Sequence, residues 1–191
     1  MQKNIIISGV GGQGILTIAS IIDLAAMNLG LKLKQAEVHG MSQRGGAVES
    51  HLRISSKEIY SDLIPLGKAD LILSIEPMES LRHLPFLSPD GVIVTATEPY
   101  ENINNYPEQE ELLNCIKNSA SSILVEAKTI TKIAGSSKVY NIALMGAASP
   151  FIGIDSEELE KAIEIFFERK GDKIVAMNLK AFRLGKENLT N

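Results

Sequence analysis

The sequence predicts an α/β protein with a Rossmann-like three-layer fold, a mostly parallel sheet, an antiparallel hairpin after the second strand, and C-terminal helices. Two observations predict this class. Short apolar runs rich in β-branched residues alternate with segments of helical periodicity, and glycines or polar clusters separate them. The chain also opens with an apolar run, a glycine-rich turn and a helical pattern, which is the start of a β-turn-α-β unit.

Length, composition and charge limit the class of protein. A chain of 191 residues, 45% hydrophobic and 22% charged, predicts one globular domain over residues 1–191. The formal net charge is -4, with both signs mixed along the chain, so we expect no nucleic-acid partner. No apolar stretch reaches the roughly 20 residues that cross a bilayer, and no signal-peptide pattern opens the chain. We therefore predict a cytoplasmic protein without a membrane partner.

The first unit consists of a strand, a helix and a second strand. Residues 4–8 indicate a buried strand, and residues 15–29 indicate a helix. Gly30 fits the end of that helix, because glycine accepts the left-handed backbone found just past many helix ends. Residues 31–38 then indicate a second strand that runs parallel to the first. The buried stripe of the helix is predicted to consist of Leu16, Ala19, Ile22 and Ala26.

The antiparallel hairpin is predicted from the alternation that follows. Between residues 48 and 54, apolar or small side chains alternate with Glu49, His51 and Arg53, as in a strand with one buried face. Residues 58–60 are expected to return after a short turn as the antiparallel partner of this strand.

The remaining elements follow from the same periodicities. Predicted strands cover residues 69–74, 92–97 and 123–126, and predicted helices cover residues 76–84, 108–119, 128–134, 141–148 and 172–184. A turn is expected at residues 89–91, and Gly185 is expected to end the last helix. Asp155 and Glu158 fit the capping box of one further helix.

The chain contains one cysteine, Cys115, which limits its redox and metal chemistry. One thiol forms no internal disulfide, and it does not supply a four-cysteine iron–sulfur cluster or a zinc site. Cys115 stands in an amphipathic segment, which favours a buried structural thiol over a reactive one. We expect no metal site in this chain.

The glycine-rich turn at residues 9–14 fits the pattern G-x-G-x-x-G between a strand and a helix. Glycines at this place allow a tight turn and let backbone amides approach a phosphate, which the helix N-terminus favours electrostatically. The alternative is that glycine only lets strand and helix pack closely, with nothing bound. We favour phosphate or nucleotide contact, and the residues expected to make it are Gly9, Gly11, Gly12, Gln13 and Gly14.

A dinucleotide site has a second requirement, an acidic residue at the end of the second strand. Glu37 meets this requirement. However, Glu37 is followed at once by a loop of histidine, hydroxyl, amide and guanidinium side chains that no ordinary nicotinamide site demands. The sequence therefore tells against a plain dehydrogenase.

The loop at residues 39–46, called here the second loop, is the most informative segment of the sequence. It follows a strand of the predicted sheet, at the edge where ligands usually bind in such folds. Arg44 offers a planar fork suited to phosphate or carboxylate, and His39 brings an imidazole, a common proton-exchanging group. The alternatives are that Arg44 forms a structural salt bridge and that His39 only hydrogen-bonds the loop.

Three segments together resemble one family. They are Ile-Ser-Gly-Val-Gly-Gly-Gln-Gly at residues 7–14, Glu-Val-His-Gly-Met-Ser-Gln-Arg-Gly-Gly at 37–46 and Val-Glu-Ser-His-Leu-Arg at 48–53. They resemble the small, γ-type subunit of the 2-oxoacid:ferredoxin oxidoreductases. Within that superfamily, the second segment is most similar to the β subunit of the indolepyruvate:ferredoxin oxidoreductases. The resemblance covers nearly the whole chain, including the last helix at residues 178–185.

The resemblance implies oxidative decarboxylation of an aryl pyruvate to an acyl-coenzyme A, with electrons passed to ferredoxin. It implies that a large α subunit holds thiamine diphosphate, magnesium and the iron–sulfur clusters, that this chain binds no cofactor tightly, and that coenzyme A enters as co-substrate. The sequence agrees, because it lacks the cysteines for a cluster and lacks the Gly-Asp-Gly motif that would hold magnesium and diphosphate.

The resemblance also implies roles for individual residues. The glycine turn would face a diphosphate, such as that of coenzyme A, with His39 and Gly45 completing the cofactor-binding set. Ser42, Gln43 and Arg44 would act in a catalytic cleft shared with the large subunit. There, Arg44 would pair with a phosphate or with the oxoacid carboxylate. Glu37 would organise the second loop.

Two other functions fit part of the sequence. A self-sufficient nicotinamide- or flavin-dependent oxidoreductase would use the glycine turn and Glu37. A non-catalytic nucleotide-binding regulator would use the glycine turn without a redox partner. Neither function explains the second loop.

Overall fold

The computed structural model describes residues 1–40, 45–101 and 103–187, which build one six-stranded sheet with helices on both faces. The strands are β1 (Gln2–Val10), β2 (Lys32–His39), β3 (Ala47–Ser55), β4 (Ala69–Ser74), β5 (Leu87–Ala96) and β6 (Ser122–Val125). The helices are α1 (Ile15–Asn28), α2 (Pro77–Arg82), α3 (Gln109–Ser119), α4 (Ala127–Ala134), α5 (Tyr140–Ile152), α6 (Ser156–Phe167) and α7 (Asp172–Glu187). Short 3-10 turns cover Leu84–Phe86, Ser137–Val139 and Glu168–Lys170.

Of the six strands in the described part of the chain, five run in the same direction. The strand order is β2-β3-β1-β4-β5-β6, and β1, β4, β5 and β6 pair in parallel. Among these described strands only β3 is reversed, and it pairs antiparallel with both β1 and β2. The predicted α/β class with a mostly parallel sheet is therefore confirmed, but the antiparallel hairpin consists of β2 and β3 rather than of β3 and residues 58–60.

The predicted partner of β3 was wrong. Residues 58–60 form no strand, because β2 and β1 already occupy both edges of β3. The loop at residues 56–68 instead lies against one face of the sheet and receives hydrogen bonds from side chains of β3. The Arg53 guanidinium donates to the carbonyl oxygens of Ser61 and Leu63, at 2.9 and 3.2 Å.

The prediction of a single buried face on β3 was also wrong. His51, on the face expected to be exposed, is only 3% exposed. A strand in the second position of a sheet with layers on both sides is covered twice, so simple alternation of polar and apolar residues does not describe it.

The two faces of the sheet carry cores of different size. On the α1 face, α1, α4, α5, α6 and α7 bury a large apolar cluster that includes Ile5, Ile7, Leu52 and Phe182. On the α2 face, α2, α3 and the 56–68 loop bury a smaller cluster that includes Ile6, Ile64 and Ile72. Among the described residues, no helix combines the length and apolarity needed to span a bilayer.

The first helix ends one residue before its predicted end, and one residue of its predicted stripe is misplaced. Ala19, Ile22 and Ala26 are fully buried, whereas Leu16 is 40% exposed. Ile15 and Ile18 take the buried positions of the first turn. Leu16 is thereby directed to the rim of the cleft described below.

Gly185 does not end the last helix, as had been predicted from its residue type. It lies inside α7, where a Cβ atom would stand 2.0 Å from the Ala143 carbonyl oxygen of α5. Gly146 of α5 makes the reciprocal close approach, since its Cβ would stand 2.0 Å from the Phe182 carbonyl oxygen. These glycines therefore permit close helix packing rather than a helix end.

Three smaller predictions also need correction. Residues 89–91 are part of β5, next to an irregularity in its pairing with β4, rather than a separate turn. Asp155 precedes α6 as expected, but its side chain makes no capping hydrogen bond. Cys115 is exposed, because Leu112 and Ile116 take the buried positions of α3.

Candidate ligand site at the glycine turn

The turn between β1 and α1 is closed by its own glutamine. The Val10 amide donates to Oε1 of Gln13 at 2.8 Å, and the Gln13 amide donates to the Val10 carbonyl oxygen at 3.1 Å. The Oε1 atom also lies where a Cβ on Gly9 would stand, at 2.7 Å. Gly9 therefore makes room for the side chain of Gln13, which shapes the turn from inside.

Two glycines of the turn do different things. Gly14 has a φ of +82°, and its Cβ would stand 2.5 Å from Nδ2 of Asn141, which donates to the Gly14 carbonyl oxygen at 3.0 Å. Gly12 has a φ of +100°, and no atom of the described residues lies within 4 Å of the place where its Cβ would be. The close-packing hypothesis thus describes Gly14, whereas Gly12 leaves its side of the turn open to a ligand.

The turn presents amides that have no acceptor. Within the described parts of the chain, nothing accepts a hydrogen bond from the backbone amides of Gly12, Gly14, Ile15 or Leu16. The first turn of α1 carries no acidic side chain, and none of the side chains that the structure describes caps this 14-residue helix. Unpaired amides and the positive end of the helix dipole together form an anion-binding arrangement.

The second loop meets the glycine turn at its far end. The Gly11 amide donates to the Gly46 carbonyl oxygen at 2.8 Å, and the Gly40 amide donates to the Ala47 carbonyl oxygen at 3.0 Å. Between the two loops lies a cleft of about 630 Å³. It is lined by Gly11, Gly12, Gly14, Ile15, Leu16, His39, Gly40 and Val48.

The structure brings only part of the predicted site together. Gly11, Gly12, Gly14 and His39 line this cleft, whereas Gly45, with a φ of +81°, is not among its lining residues. Ser42, Gln43 and Arg44 lie outside the described residues, so their catalytic role stays a prediction.

Glu37 is placed as an organiser of β2 rather than beside the glycine turn. Its Oε1 accepts from Nε2 of Gln35 at 2.6 Å, and its Oε2 lies 3.2 Å from Nε2 of His39. Because β3 separates β2 from β1, two strand spacings of about 4.8 Å lie between Glu37 and the turn. This arrangement disfavours the ribose contact that a dinucleotide site requires.

Asp23 of α1 lies close enough to Glu37 of β2 to feel its charge, and it is partly buried. Burial, and next the charge of Glu37, raise the pKa of Asp23 to about 6. One of its carboxylate oxygens is buried without a hydrogen-bond partner in the described chain. No pattern in the sequence marked this residue, because its burial depends on α1 lying across the β2 edge of the sheet.

A second cleft of about 440 Å³ opens on the other side of Gly12. Its basic groups are Lys128 of α4 and Lys138, which follow the glycine turn by more than 100 residues. No motif in the sequence marks either lysine, since a surface lysine carries no positional signal of its own. The described residues that line this cleft are Gly12, Gln13, Glu98, Pro99, Tyr100, Lys128, Ser137, Lys138, Tyr140 and Asn141.

Glu98 orders the wall of this second cleft. Its Oε1 accepts from the Lys128 backbone amide at 2.8 Å, and its Oε2 accepts from the Tyr140 hydroxyl at 2.9 Å. Burial, and next the charge of Glu98, hold the pKa of Tyr140 well above its usual value. Tyr140 therefore stays a hydrogen-bond donor throughout the physiological range and fixes the start of α5, next to Asn141.

Comparison with protein families supports the resemblance found in the motifs. The profile of the family described as pyruvate ferredoxin/flavodoxin oxidoreductase matches residues 4–188. This range includes the glycine turn, the second loop and the helices that surround them.

Individual relatives align with nearly the whole chain. The indolepyruvate oxidoreductase subunit IorB of Thermococcus kodakarensis is 35% identical, over 96% of this chain and 94% of its own length. The subunit of the same name from Archaeoglobus fulgidus is 38% identical, over 97% and 94%. The pyruvate/ketoisovalerate oxidoreductases common subunit gamma of Pyrococcus abyssi is 29% identical, over 92% and 90%.

Solved structures share the fold. The keto/oxoacid ferredoxin oxidoreductase gamma subunit from Geobacter sulfurreducens superposes with a TM-score of 0.71 at 25% identity, over 99% of both chains. The 2-oxoglutarate:ferredoxin oxidoreductase from Magnetococcus marinus, solved with 2-oxoglutarate, coenzyme A and succinyl-CoA, gives 0.76 at 21% identity. That superposition covers 97% of this chain but 30% of the other, so there the same fold is one part of a longer polypeptide.

Proposed function

The chain belongs to the pyruvate ferredoxin/flavodoxin oxidoreductase family, and from this premise we propose that it is the small subunit of an indolepyruvate:ferredoxin oxidoreductase. The proposed reaction is the oxidative decarboxylation of an aryl pyruvate to an acyl-coenzyme A, with electrons passed to ferredoxin. The choice of an aryl substrate rests on full-length relatives that carry the name indolepyruvate oxidoreductase at 34–38% identity.

The observation that carries a binding role is the row of unpaired amides at the glycine turn. Amides without acceptors beside a helix N-terminus favour an anion, and Lys128 and Lys138 add positive charge on the other side of Gly12. We assign the diphosphate of coenzyme A to this turn. Gly12 suits that role, because no atom of the described chain occupies the place of its missing side chain.

In this proposal, a large α subunit binds the redox cofactors. Thiamine diphosphate would supply the stabilised carbanion for decarboxylation, and iron–sulfur clusters would carry the electrons to ferredoxin. A chain whose single cysteine is exposed on α3 does not supply the four thiolates of a cluster. The small subunit would therefore shape and close one side of the site and hold coenzyme A.

Two further assignments belong to the proposal. Residues 1–191 act as one γ-type domain, which is supported by the single sheet that all described strands join. The compartment is the cytoplasm, where an exposed thiol such as Cys115 stays reduced.

The decisive experiment is reconstitution with the large subunit. We expect reduction of ferredoxin or viologen by indolepyruvate only when both chains, coenzyme A and thiamine diphosphate are present, with phenylpyruvate and pyruvate used less well. A stable complex that prefers pyruvate would discard the aryl substrate and keep the subunit role. Absence of any complex, together with tight NAD, NADP, FAD or FMN binding by this chain alone, would replace the proposal with a nucleotide-binding oxidoreductase or regulator.

The glycine turn is tested by Gly12→Ala in the assembled enzyme. A methyl group at Gly12 would stand between the amides and the diphosphate, so the KM for coenzyme A should rise about 10- to 100-fold. Gly30→Ala is the matched control, because Gly30 also has positive φ and open space at its Cβ but lies at the other end of α1. Equal KM values for coenzyme A in the two variants would show that the assignment of the diphosphate to this turn is wrong.

The second loop is tested by Arg44→Ala. Loss of a guanidinium that pairs with a phosphate or with the oxoacid carboxylate should raise one of the two KM values about 10- to 100-fold, and which one rises identifies the partner. Arg169→Ala, an exposed arginine after α6, is the control. Turnover and both KM values close to those of the unchanged enzyme would show that the predicted role of Arg44 is wrong.

A further inference from the structure

The 56–68 loop presents three large apolar side chains to solvent. Tyr60 is 91% exposed, Leu63 is 56% exposed and Leu66 is 65% exposed. Single exposed apolar residues are common on protein surfaces, but three within seven residues of one loop form a patch. Such a patch is typical of a surface that another chain covers.

The loop is held in place by buried groups of the sheet. Ile59 and Ile64 are buried, and the Ile64 amide donates to Nδ1 of His51 at 3.1 Å. The Arg53 guanidinium also donates to two carbonyl oxygens of the loop, as described above. The apolar side chains are therefore displayed on a fixed backbone, so a partner would bind them with little loss of conformational entropy.

The loop lies beside a third cleft, of about 490 Å³. The Gly67 amide donates to the Pro85 carbonyl oxygen at 2.9 Å, next to Phe86, which lines the cleft. The His51 ring packs against Phe86 with its centroid 5.2 Å away, in an edge-to-face arrangement. The apolar patch and the cleft are thus parts of one surface on the α2 face.

The third cleft places the Glu49 carboxylate beside two histidines. Glu49 lies 3.3 Å from Nδ1 of His83 and 3.8 Å from Nε2 of His51, and burial lowers the pKa of both histidines. Both imidazoles are therefore neutral at pH 7, and the ion-pair contacts that Glu49 makes with described residues are with these two rings rather than with an arginine or lysine.

Glu79 adds a second carboxylate to the same cleft. Its side chain is 3% exposed, and its Oε1 lies 3.2 Å from Nε of Arg82. Its Oε2 is buried with no hydrogen-bond partner in the part of the chain that the structure describes. Burial raises the pKa of Glu79, and a cationic donor from outside that reaches this oxygen would satisfy it and favour the carboxylate form.

This surface is continuous with the proposed coenzyme A site. His39, Gly40 and Val48 line both the third cleft and the cleft at the glycine turn. A chain that closes one of them lies next to the other.

We propose that the 56–68 loop and the adjoining Glu49–Glu79 cleft form a docking surface for the large subunit, which inserts a basic side chain flanked by apolar residues. The aliphatic stem of an arginine or lysine fits against Phe86 and Val48, and its charged end meets Glu49. The flanking apolar residues cover Leu63 and Leu66. This inference rests on the proposed function for the identity of the partner, but the chemistry of the cleft can be tested without it.

The partner is tested by titrating the large subunit with variants of this chain. Leu63→Ser with Leu66→Ser should weaken binding about tenfold or more, and Glu49→Gln should do the same and also reduce the dependence of affinity on salt. Met27→Ser with Ile133→Ser is the matched control, since both residues are similarly exposed but lie on the α1 face. Thermal unfolding of each variant confirms that it is folded.

The cleft itself is tested on this chain alone with n-butylguanidinium as the probe. We expect binding with a Kd on the order of 1 mM, perturbation of the His83 imidazole signals in NMR spectra, and loss of both effects in Glu49→Gln. Glu157→Gln, which changes an exposed carboxylate of α6, should leave probe binding unchanged.

The outcomes separate the docking surface from the proposed function. Probe binding without any affinity for the large subunit would overturn the proposed function and retain the cleft for another basic partner. If all variants bind the large subunit within twofold of the unchanged chain, the docking surface is overturned and the proposed function is retained. The same conclusion follows if the control variant loses as much affinity as the others. Absence of probe binding would overturn the proposal that a basic side chain of the partner inserts into the cleft. A tenfold gain in probe affinity on Arg44→Ala would assign the cleft to the second loop of this chain and overturn the docking surface.

Discussion

The two faces of the sheet use the same strands for different purposes. On the α1 face, five helices bury an almost entirely apolar cluster, and α5 and α7 approach so closely that only glycine fits at residues 146 and 185. On the α2 face, a smaller core adjoins a group of buried ionisable side chains, among them Glu76, Glu79 and His83.

This difference indicates a division between stability and interaction. Apolar burial in a close-packed layer stabilises a fold strongly, whereas buried ionisable groups contribute little net stability and need partners. We therefore expect mutations on the α1 face to act on folding and mutations on the α2 face to act mainly on association. Four predictions test this expectation, in order of decreasing effect.

The largest difference between the faces is expected for their phenylalanines. Phe182→Ala removes a fully buried ring from the α1 face and should lower the free energy of unfolding by about 4 kcal/mol. Phe86→Ala on the α2 face removes a half-buried ring and should cost about 1 kcal/mol. Urea unfolding followed by circular dichroism measures both, and equal losses would contradict the division.

The glycine contact between α5 and α7 should be the next most sensitive feature. Gly185→Ala places a methyl group 2.0 Å from a backbone oxygen that does not move alone, so the helices must separate, at about 2–3 kcal/mol. Glu164→Ala on the exposed side of α6 is the control and should stay within about 0.5 kcal/mol. A neutral or stabilising effect of Gly185→Ala would show that this packing is looser than the structure indicates.

Asp23 is the polar exception on the α1 face and gives it a pH dependence. Its pKa is raised from 3.8 to about 6 in the folded state, so its stabilising contribution is complete below pH 3.8 and is lost as the pH rises to about 6. Asp23→Asn should therefore be more stable than the unchanged protein at pH 7.5, by about 1 kcal/mol after allowance for solvent screening. Urea unfolding at pH 4 and pH 7.5 checks this, and a constant difference between the two proteins would contradict it.

The α2 face should respond to pH in the opposite sense through His51, with a smaller effect. Burial lowers the pKa of His51 below its ordinary value of 6.5, against the opposing charge of Glu49. The contribution of His51 to the free energy of unfolding is therefore present above pH 6.5 and is lost as the pH falls below that value. His51→Asn keeps an acceptor for the Ile64 amide but does not titrate, so it should lose less stability between pH 7.5 and pH 5. Parallel pH profiles for both proteins would contradict this.

Most elements were predictable because their periodicities are local. The strand at residues 69–74 has the predicted bounds, and α1 and α3 differ from the predictions by one residue at an end. The failures concern what a segment packs against. Gly185 has the residue type of a helix end, but its neighbour is α5, and residues 58–60 have strand propensity, but both edges of β3 are taken.

The candidate site was also predicted only in part. Gly12 and His39 were found from the sequence because they stand in motifs of fixed spacing, and both line the cleft. Asn141, Lys128 and Lys138 come from the distant half of the chain and have no such spacing. Only the fold brings them to the turn.

The sequence by itself determined the family, the order of most strands and helices along the chain, and the position of the glycine turn between β1 and α1. Each depends on residue types within a few positions of one another, where chain connectivity fixes the distance. The tertiary structure decided that β3 lies between β1 and β2, that Glu37 is thereby removed from the turn, and that His51 is buried against Phe86. Those outcomes depend on which surfaces compete to cover the sheet, and that competition involves the whole chain at once.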